Sequence, residues 1–172
     1  MSGGVPVAAG YRDPYEDPLM LAAEELLLRE VVTSLKDHPA PRVWSLGNEP
    51  DLFAWPRSRG AGRAWVRRMA SLVRDLDPIR PVSCGLHVAS LLEDNGLRAD
   101  EVFAETDVAV MHVYPMYLPW SRSPLDPDLV PFCCALTSAL SGKPVLAEEW
   151  GGCTAPPGEP SQTWRFASCG ET

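Results

Sequence analysis

Nowhere does the chain approach the roughly 20 consecutive apolar residues of a transmembrane helix, which excludes a helical span and removes a membrane from the expected partners. Its first residues, Met-Ser-Gly-Gly-Val-Pro-Val, have no basic start followed by an apolar run and do not read as a secretion signal. As written, the chain is expected in the cytoplasm; if an N-terminal part precedes it, secretion is the expectation. Basic charge is scarce, with 15 Lys and Arg against 23 Asp and Glu and a formal net charge of −8. Arg63, Arg67, Arg68 and Arg74 are spread along one helix among acidic neighbours, so nucleic acid is not an expected partner. Cys84, Cys133, Cys134, Cys153 and Cys169 form neither a CxxC pair nor an even set, which argues against a zinc site or disulfide framework and for reduced, mostly buried thiols. No internal repeat, low-complexity tract or interdomain linker interrupts the chain.

The composition that is present is that of a globular protein: 172 residues, 45% apolar and 22% charged, enough for one domain with a core. Residues 1–16, rich in Gly, Pro and Tyr, predict a loop. Asp17 is a good N-cap with Pro18 at the first helical position, and Leu28, Val31, Val32 and Leu35 recur at helical spacing until His38-Pro39 stops the helix. Arg42 to Leu46 predicts a short buried parallel strand, broken by Gly47-Asn48-Glu49-Pro50. A second helix from about Ala61 to Leu76 carries Trp65, Met69, Leu72 and Leu76 on one stripe. The alternation continues with a strand over Pro81–Leu86, a weaker helix around Val88–Leu97, a strand over Val108–Val113, a helix around Pro127–Leu140 and a strand over Pro144–Ala147. Strands separated by helical crossovers predict a parallel α/β sheet. Residues 17–150 read as one piece and 151–172 as an irregular tail, loose from about 155 onward.

Polar groups gather just past the predicted strands: Asn48 and Glu49 after the first, His87 after the second, His112 and Tyr114 after the third, Glu148 and Glu149 after the fourth. Parallel α/β folds build their sites on that face. Two strand-terminal carboxylates suit glycosidic bond cleavage, in which one protonates the leaving oxygen and the other acts on the opposite face of the anomeric carbon, with no metal or cofactor required. Taken singly, each glutamate reads more readily as a helix cap or an arginine partner than as a catalytic group.

Trp44-Ser-Leu-Gly-Asn-Glu-Pro50 resembles the Asn-Glu-Pro acid/base motif of clan A retaining glycoside hydrolases, and Val145-Leu-Ala-Glu-Glu-Trp-Gly151 resembles their Glu-aromatic-Gly nucleophile motif. His112-Val-Tyr114 is similar to the His-x-Tyr that precedes the nucleophile strand in glycoside hydrolase family 5, a family of β-mannanases and cellulases. The resemblance covers roughly residues 5 to 152. It implies the C-terminal half of a (β/α)₈ TIM barrel, about strands four to seven, acting on a β-linked carbohydrate such as a β-1,4-mannan or β-glucan. It further implies Glu49 as general acid/base, Glu149 as nucleophile, Asn48 on the sugar 2-hydroxyl, Tyr114 orienting Glu149, His112 beside the nucleophile or sugar, and Trp150 under the sugar. Trp55 and Trp120 are candidates for neighbouring subsites. Strand alternation implies that Glu148 and Glu149 do not both face the pocket, and a retaining mechanism implies carboxyl groups about 5 to 5.5 Å apart.

A closed barrel takes about 250 residues. The expected arc of four strands therefore has open edges that invite association, with Val43, Val82, Val108 and Val110 expected to line an exposed interior and disfavour a well-folded monomer. Two alternatives stay open: a catalytically inactive barrel fragment that binds carbohydrate or a partner chain, and an unrelated doubly wound α/β binding domain with its two glutamates far apart.

Overall fold

Helix α1, Pro18–Leu35, starts where Asp17 caps it, the carboxylate accepting from the amides of Leu19 (2.9 Å) and Met20 (3.3 Å). The computed structural model describes residues 12–58 and 60–151. The expected tail from 155, the beginning of the N-terminal loop, Cys153 and Cys169 lie outside the described residues. After α1 come β1 (Trp44–Asn48), the single turn α2 (Pro50–Phe53), α3 (Ala61–Leu76), β2 (Val82–His87), α4 (Ala99–Glu105), β3 (Ala109–Val113), α5 (Leu129–Ser141) and β4 (Val145–Trp150).

The four strands are parallel and lie side by side in chain order, β1-β2-β3-β4. That order has no reversal point, which a doubly wound sheet requires. The described residues thus form an arc of a TIM-type α/β barrel. One sheet face packs on the helices: Trp44 and Leu46 from β1, Val82, Cys84 and Leu86 from β2, Ala109, Met111 and Val113 from β3, and Val145 from β4 join α3, α4 and α5 residues such as Met69, Val73, Phe103 and Cys133 in the core. Alternation then directs Ser45, Gly47, Ser83, Gly85, Val110 and His112 to the concave face.

The expected apolar lining of that face is therefore corrected. Val82 packs against Val32, Ala70 and Val73 on the helix side, and Val43 and Val108 precede their strands and are half-buried. Val110 is on the concave face and is fully buried, so none of the four lines an exposed interior. Exposed apolar side chains include Leu19, Leu26, Leu27, Val31 and Leu35 along α1, Phe53 at the end of α2, Ile79 between α3 and β2, and Leu146 of β4. The expected α1 stripe is thus only partly inward: Val32 is buried, whereas Val31 and Leu35 are not.

The weak helix expected over Val88–Leu97 is a 3₁₀ turn, Val88–Leu91, followed by a loop. Gly96 takes a positive φ of 80° there, and the Asn95 side chain accepts from the Leu97 amide and donates to Ser90 Oγ, so local side-chain bonds displace the helical ladder. The arginines of α3 are neutralised across helices, Arg63 and Arg67 on Glu105, Arg68 on Glu25, and Arg74 on Asp107. Cys84, Cys133 and Cys134 are free thiols. Among the described residues no helix is long and apolar enough to cross a membrane.

Candidate active site

Strand β1 runs two residues further than the sequence predicts, and its pairing with β2 slips between Ser45 and Asn48. The slip delivers Glu49 to the sheet's C-terminal rim in a left-handed conformation, φ 47° and ψ 50°, the one such non-glycine among the described residues. Backbone strain of this kind costs on the order of 1–3 kcal/mol and persists only where neighbours enforce it. Here they do. The Glu49 amide donates to the Gly85 carbonyl (2.8 Å) and the Tyr15 hydroxyl donates to the Pro50 carbonyl (2.6 Å). Asp51, fully buried, accepts from the His87 amide (3.2 Å) and Ser90 Oγ (2.7 Å). Burial raises the Asp51 carboxyl above its ordinary range, and the Ser90 and His87 hydrogen bonds oppose that rise.

His112, on β3, is 1% exposed and stands among three glutamates. Its Nδ1 is 3.4 Å from Glu49 Oε1 and 3.6 Å from Glu149 Oε2, and its Nε2 is 3.4 Å from Glu148 Oε2. The ring fits because β2 supplies a glycine beneath it: a Cβ at Gly85 would fall 2.9 Å from both His112 Cε1 and Nε2. Tyr114 donates its hydroxyl to Glu149 Oε2 (3.0 Å). Burial, and then the carboxylate beside it, push the Tyr114 phenol up to about 12, so it remains a donor at neutral pH. One oxygen each of Glu49 and Glu149 and a His112 nitrogen lie within 4.8 Å of one another. Two carboxylates and an imidazole at such spacing can chelate a divalent cation or carry out acid and nucleophile chemistry at one carbon.

The structure thus brings Glu49, Glu149, His112 and Tyr114 together, with facing Glu49 and Glu149 oxygens within 4.8 Å of each other. It also corrects the separation of Glu148 from Glu149. Pairing of β3 with β4 runs Val110 to Leu146 and then His112 to Glu149, so β4 carries one extra residue, and such a bulge breaks strict alternation. Both glutamates consequently reach His112. Asn48 is exposed at the end of β1, in register with Gly85. Trp150 ends β4 at 41% exposure, and Trp55 (59%) and Trp120 (43%) are exposed on loops of the same rim, none of them in the four-residue cluster. His87 is structural in this geometry, its Nδ1 accepting from the Ala89 amide. Sequence reasoning missed Tyr15, Asp51 and Gly85; the Pro-Asp after Glu49 was the available signal for Asp51.

The family profile described as "Glycosyl hydrolases family 2, TIM barrel domain" matches residues 4–164. A probable mannan endo-1,4-β-mannosidase C from Aspergillus terreus is 28% identical over 162 residues, 83% of this chain and 39% of that protein. Among solved structures, an exo-β-1,4-mannosidase from Opitutaceae bacterium strain TAV5 is 27% identical with a TM-score of 0.70, over 88% of this chain and 30% of that one. An endo-β-1,4-mannanase from Thermotoga petrophila, 20% identical with a TM-score of 0.65 over 83% of this chain and 37% of that one, shares the fold. The chain therefore spans well under half the length of these relatives. The clan-level reading holds, and the assignment to family 5 gives way to family 2. The Asn-Glu-Pro and Glu-aromatic-Gly motifs follow from chemistry common to the clan, so they do not separate its families.

Proposed function

The chain belongs to glycosyl hydrolases family 2, as part of its TIM-barrel domain, and from that premise we propose that it carries the catalytic pair of a retaining β-glycosidase acting on β-1,4-linked mannosides. The mannosidase and mannanase relatives favour mannosides over glucans. Glu149, ionised and aligned by Tyr114, attacks the anomeric carbon while Glu49 gives its proton to the leaving oxygen. The resulting glycosyl ester is opened by a water that Glu49, now a carboxylate, deprotonates, so the configuration is retained. Asn48 binds the sugar 2-hydroxyl, and Trp150 offers an indole face to the sugar's C–H face.

The observation that carries this reading is the Glu49–Glu149 separation, with oxygens within 4.8 Å. Glu149→Gly in the full-length protein should abolish hydrolysis of an aryl β-mannoside, and azide should restore turnover as the glycosyl azide of inverted configuration. Ordinary activity in Glu149→Gly, with loss in Glu148→Gly, would sink the assignment. A second reading, a barrel piece that binds sugar or a partner chain without turnover, is favoured by the outer edges of β1 and β4, which pair with no strand among the described residues. Aryl mannoside hydrolysis by the 172-residue chain alone would eliminate it.

A further inference from the structure

Glu148 has no part in the double displacement, yet it meets the ring that stands between the two glutamates that do. His112 Nε2 faces Glu148 Oε2 at 3.4 Å, and Nδ1 faces Glu49 and Glu149. The groups around the ring are these: Glu49 just past β1, Gly85 and His87 from β2, Tyr114 just past β3, and Glu148 and Glu149 from β4. Of these, Tyr114 is spent on Glu149, and His87 Nδ1 is occupied by the Ala89 amide. Nδ1 is buried and has no hydrogen bond of good geometry.

A neutral imidazole carries one N–H and one lone pair, and the partner of one nitrogen decides the role of the other. With an ionised carboxylate at Nε2, the N–H belongs there, and Nδ1 turns its lone pair toward two carboxyl groups. A lone pair between two carboxylates is repelled by both, so the arrangement is favourable when one of the two carries a proton, as the acid role proposed for Glu49 requires before the first chemical step. Glu149 Oε2 is already engaged, accepting the Tyr114 hydroxyl. Glu49 Oε1 is the remaining place.

We propose that Glu148 is a positioning residue that holds His112 with its proton on Nε2, so that Nδ1 faces Glu49 and retains there the proton Glu49 delivers in the first chemical step. Two protons are then distributed over the three glutamates and the imidazole: one stays between Nε2 and Glu148, and one moves along the Nδ1–Glu49 line. Without Glu148 the ring is free to place its single proton on Nδ1 and donate to an ionised Glu49, and the acid is lost. This role rests on the acid function proposed above, but the state of the ring can be measured without turnover.

The chain has three histidines, His38, His87 and His112, so ring nitrogen spectra are simple. Long-range ¹H–¹⁵N spectra of the 172-residue chain at neutral pH should show His112 protonated at Nε2. Glu148→Ala should move protonation to Nδ1, Glu148→Gln should largely keep it at Nε2, and His38 and His87 should not change. In the full-length enzyme, Glu148→Ala should lower kcat with little change in KM and bring the alkaline limb of kcat/KM down by about 1 pH unit, at the lower end of what a neighbouring charge does. Glu148→Gln should shift it less. An Nδ1-protonated His112 in the wild type, or an unaltered ring in Glu148→Ala, overturns the proposal, as does a loss uniform across pH. If Glu148→Ala does not fold, the wild-type tautomer and Glu148→Gln still decide. Absence of glycosidase activity with the Nε2 tautomer present would refute the proposed function and not the ring's orientation.

Discussion

Replacing Gly85 by alanine tests whether the packing beneath His112 sets the site. The backbone there does not need a positive φ, so alanine is acceptable to the chain itself. Removing glycine's freedom in the unfolded state would by itself stabilise the protein by about 0.4–1 kcal/mol. Against that, the new Cβ would sit 2.9 Å from His112 Cε1 and Nε2 and 3.2 Å from the Gly47 carbonyl oxygen. Recovering a normal carbon contact of about 3.5 Å requires a retreat of roughly 0.6 Å by a ring with almost no exposed surface. Overpacking of this kind costs about 1–3 kcal/mol, so it outweighs the entropic gain and a net destabilisation of about 1–2 kcal/mol is expected. The ring would retreat into glutamate contacts of 3.4–3.6 Å. A displacement approaching 1 Å in a catalytic constellation costs on the order of 100-fold in rate. Urea denaturation and kcat/KM on an aryl β-mannoside measure the two effects. Unchanged stability together with unchanged activity in Gly85→Ala would refute the argument that this glycine exists to seat His112.

Tyr114→Phe removes a hydrogen bond to a charged carboxylate, worth about 1.5–3 kcal/mol, and should lower kcat/KM roughly 10- to 100-fold; an effect below about threefold would show that Glu149 is aligned without it. Asp51→Ala leaves the His87 amide and Ser90 hydroxyl without their buried acceptor, and should cost about 1–3 kcal/mol in chemical denaturation as well as loosening Glu49. Glu105 is held down at about 2 by Arg67 and then Arg63, below its ordinary 4.5. Because its folded-state value is depressed, the ionised form stabilises the fold: the contribution is full above about pH 4.5 and is lost as pH falls toward 2. Arg67→Ala should therefore be less stable than wild type at neutral pH, with the two denaturation midpoints converging as pH falls through that window; parallel curves would exclude the pair as a source of acid sensitivity.

The alternation of helix and strand was legible because apolar spacing and N-caps such as Asp17 act within a few residues. Glu49 and Glu149 were legible as candidates because each follows a short apolar run and sits in a recognisable motif. Pattern alone could not say where β1 ends, how the loop after the Val88–Leu91 turn is tied, or which valines face inward, since those depend on partners far along the chain. The Gly96 turn rests on Asn95 and Ser90, and Val82 is claimed by Val32, Ala70 and Val73. By itself the sequence determined a parallel α/β arc with carboxylates at its rim. The tertiary structure alone decided that Glu148 and Glu149 both reach His112 and that a glycine on the adjacent strand makes room for that ring, whereas the approach of Glu49 to Glu149 was already implied by the motif resemblance. The physical reason is register: bulges in β1 and β4 shift pairing by one residue, and only the packed sheet specifies where a bulge falls.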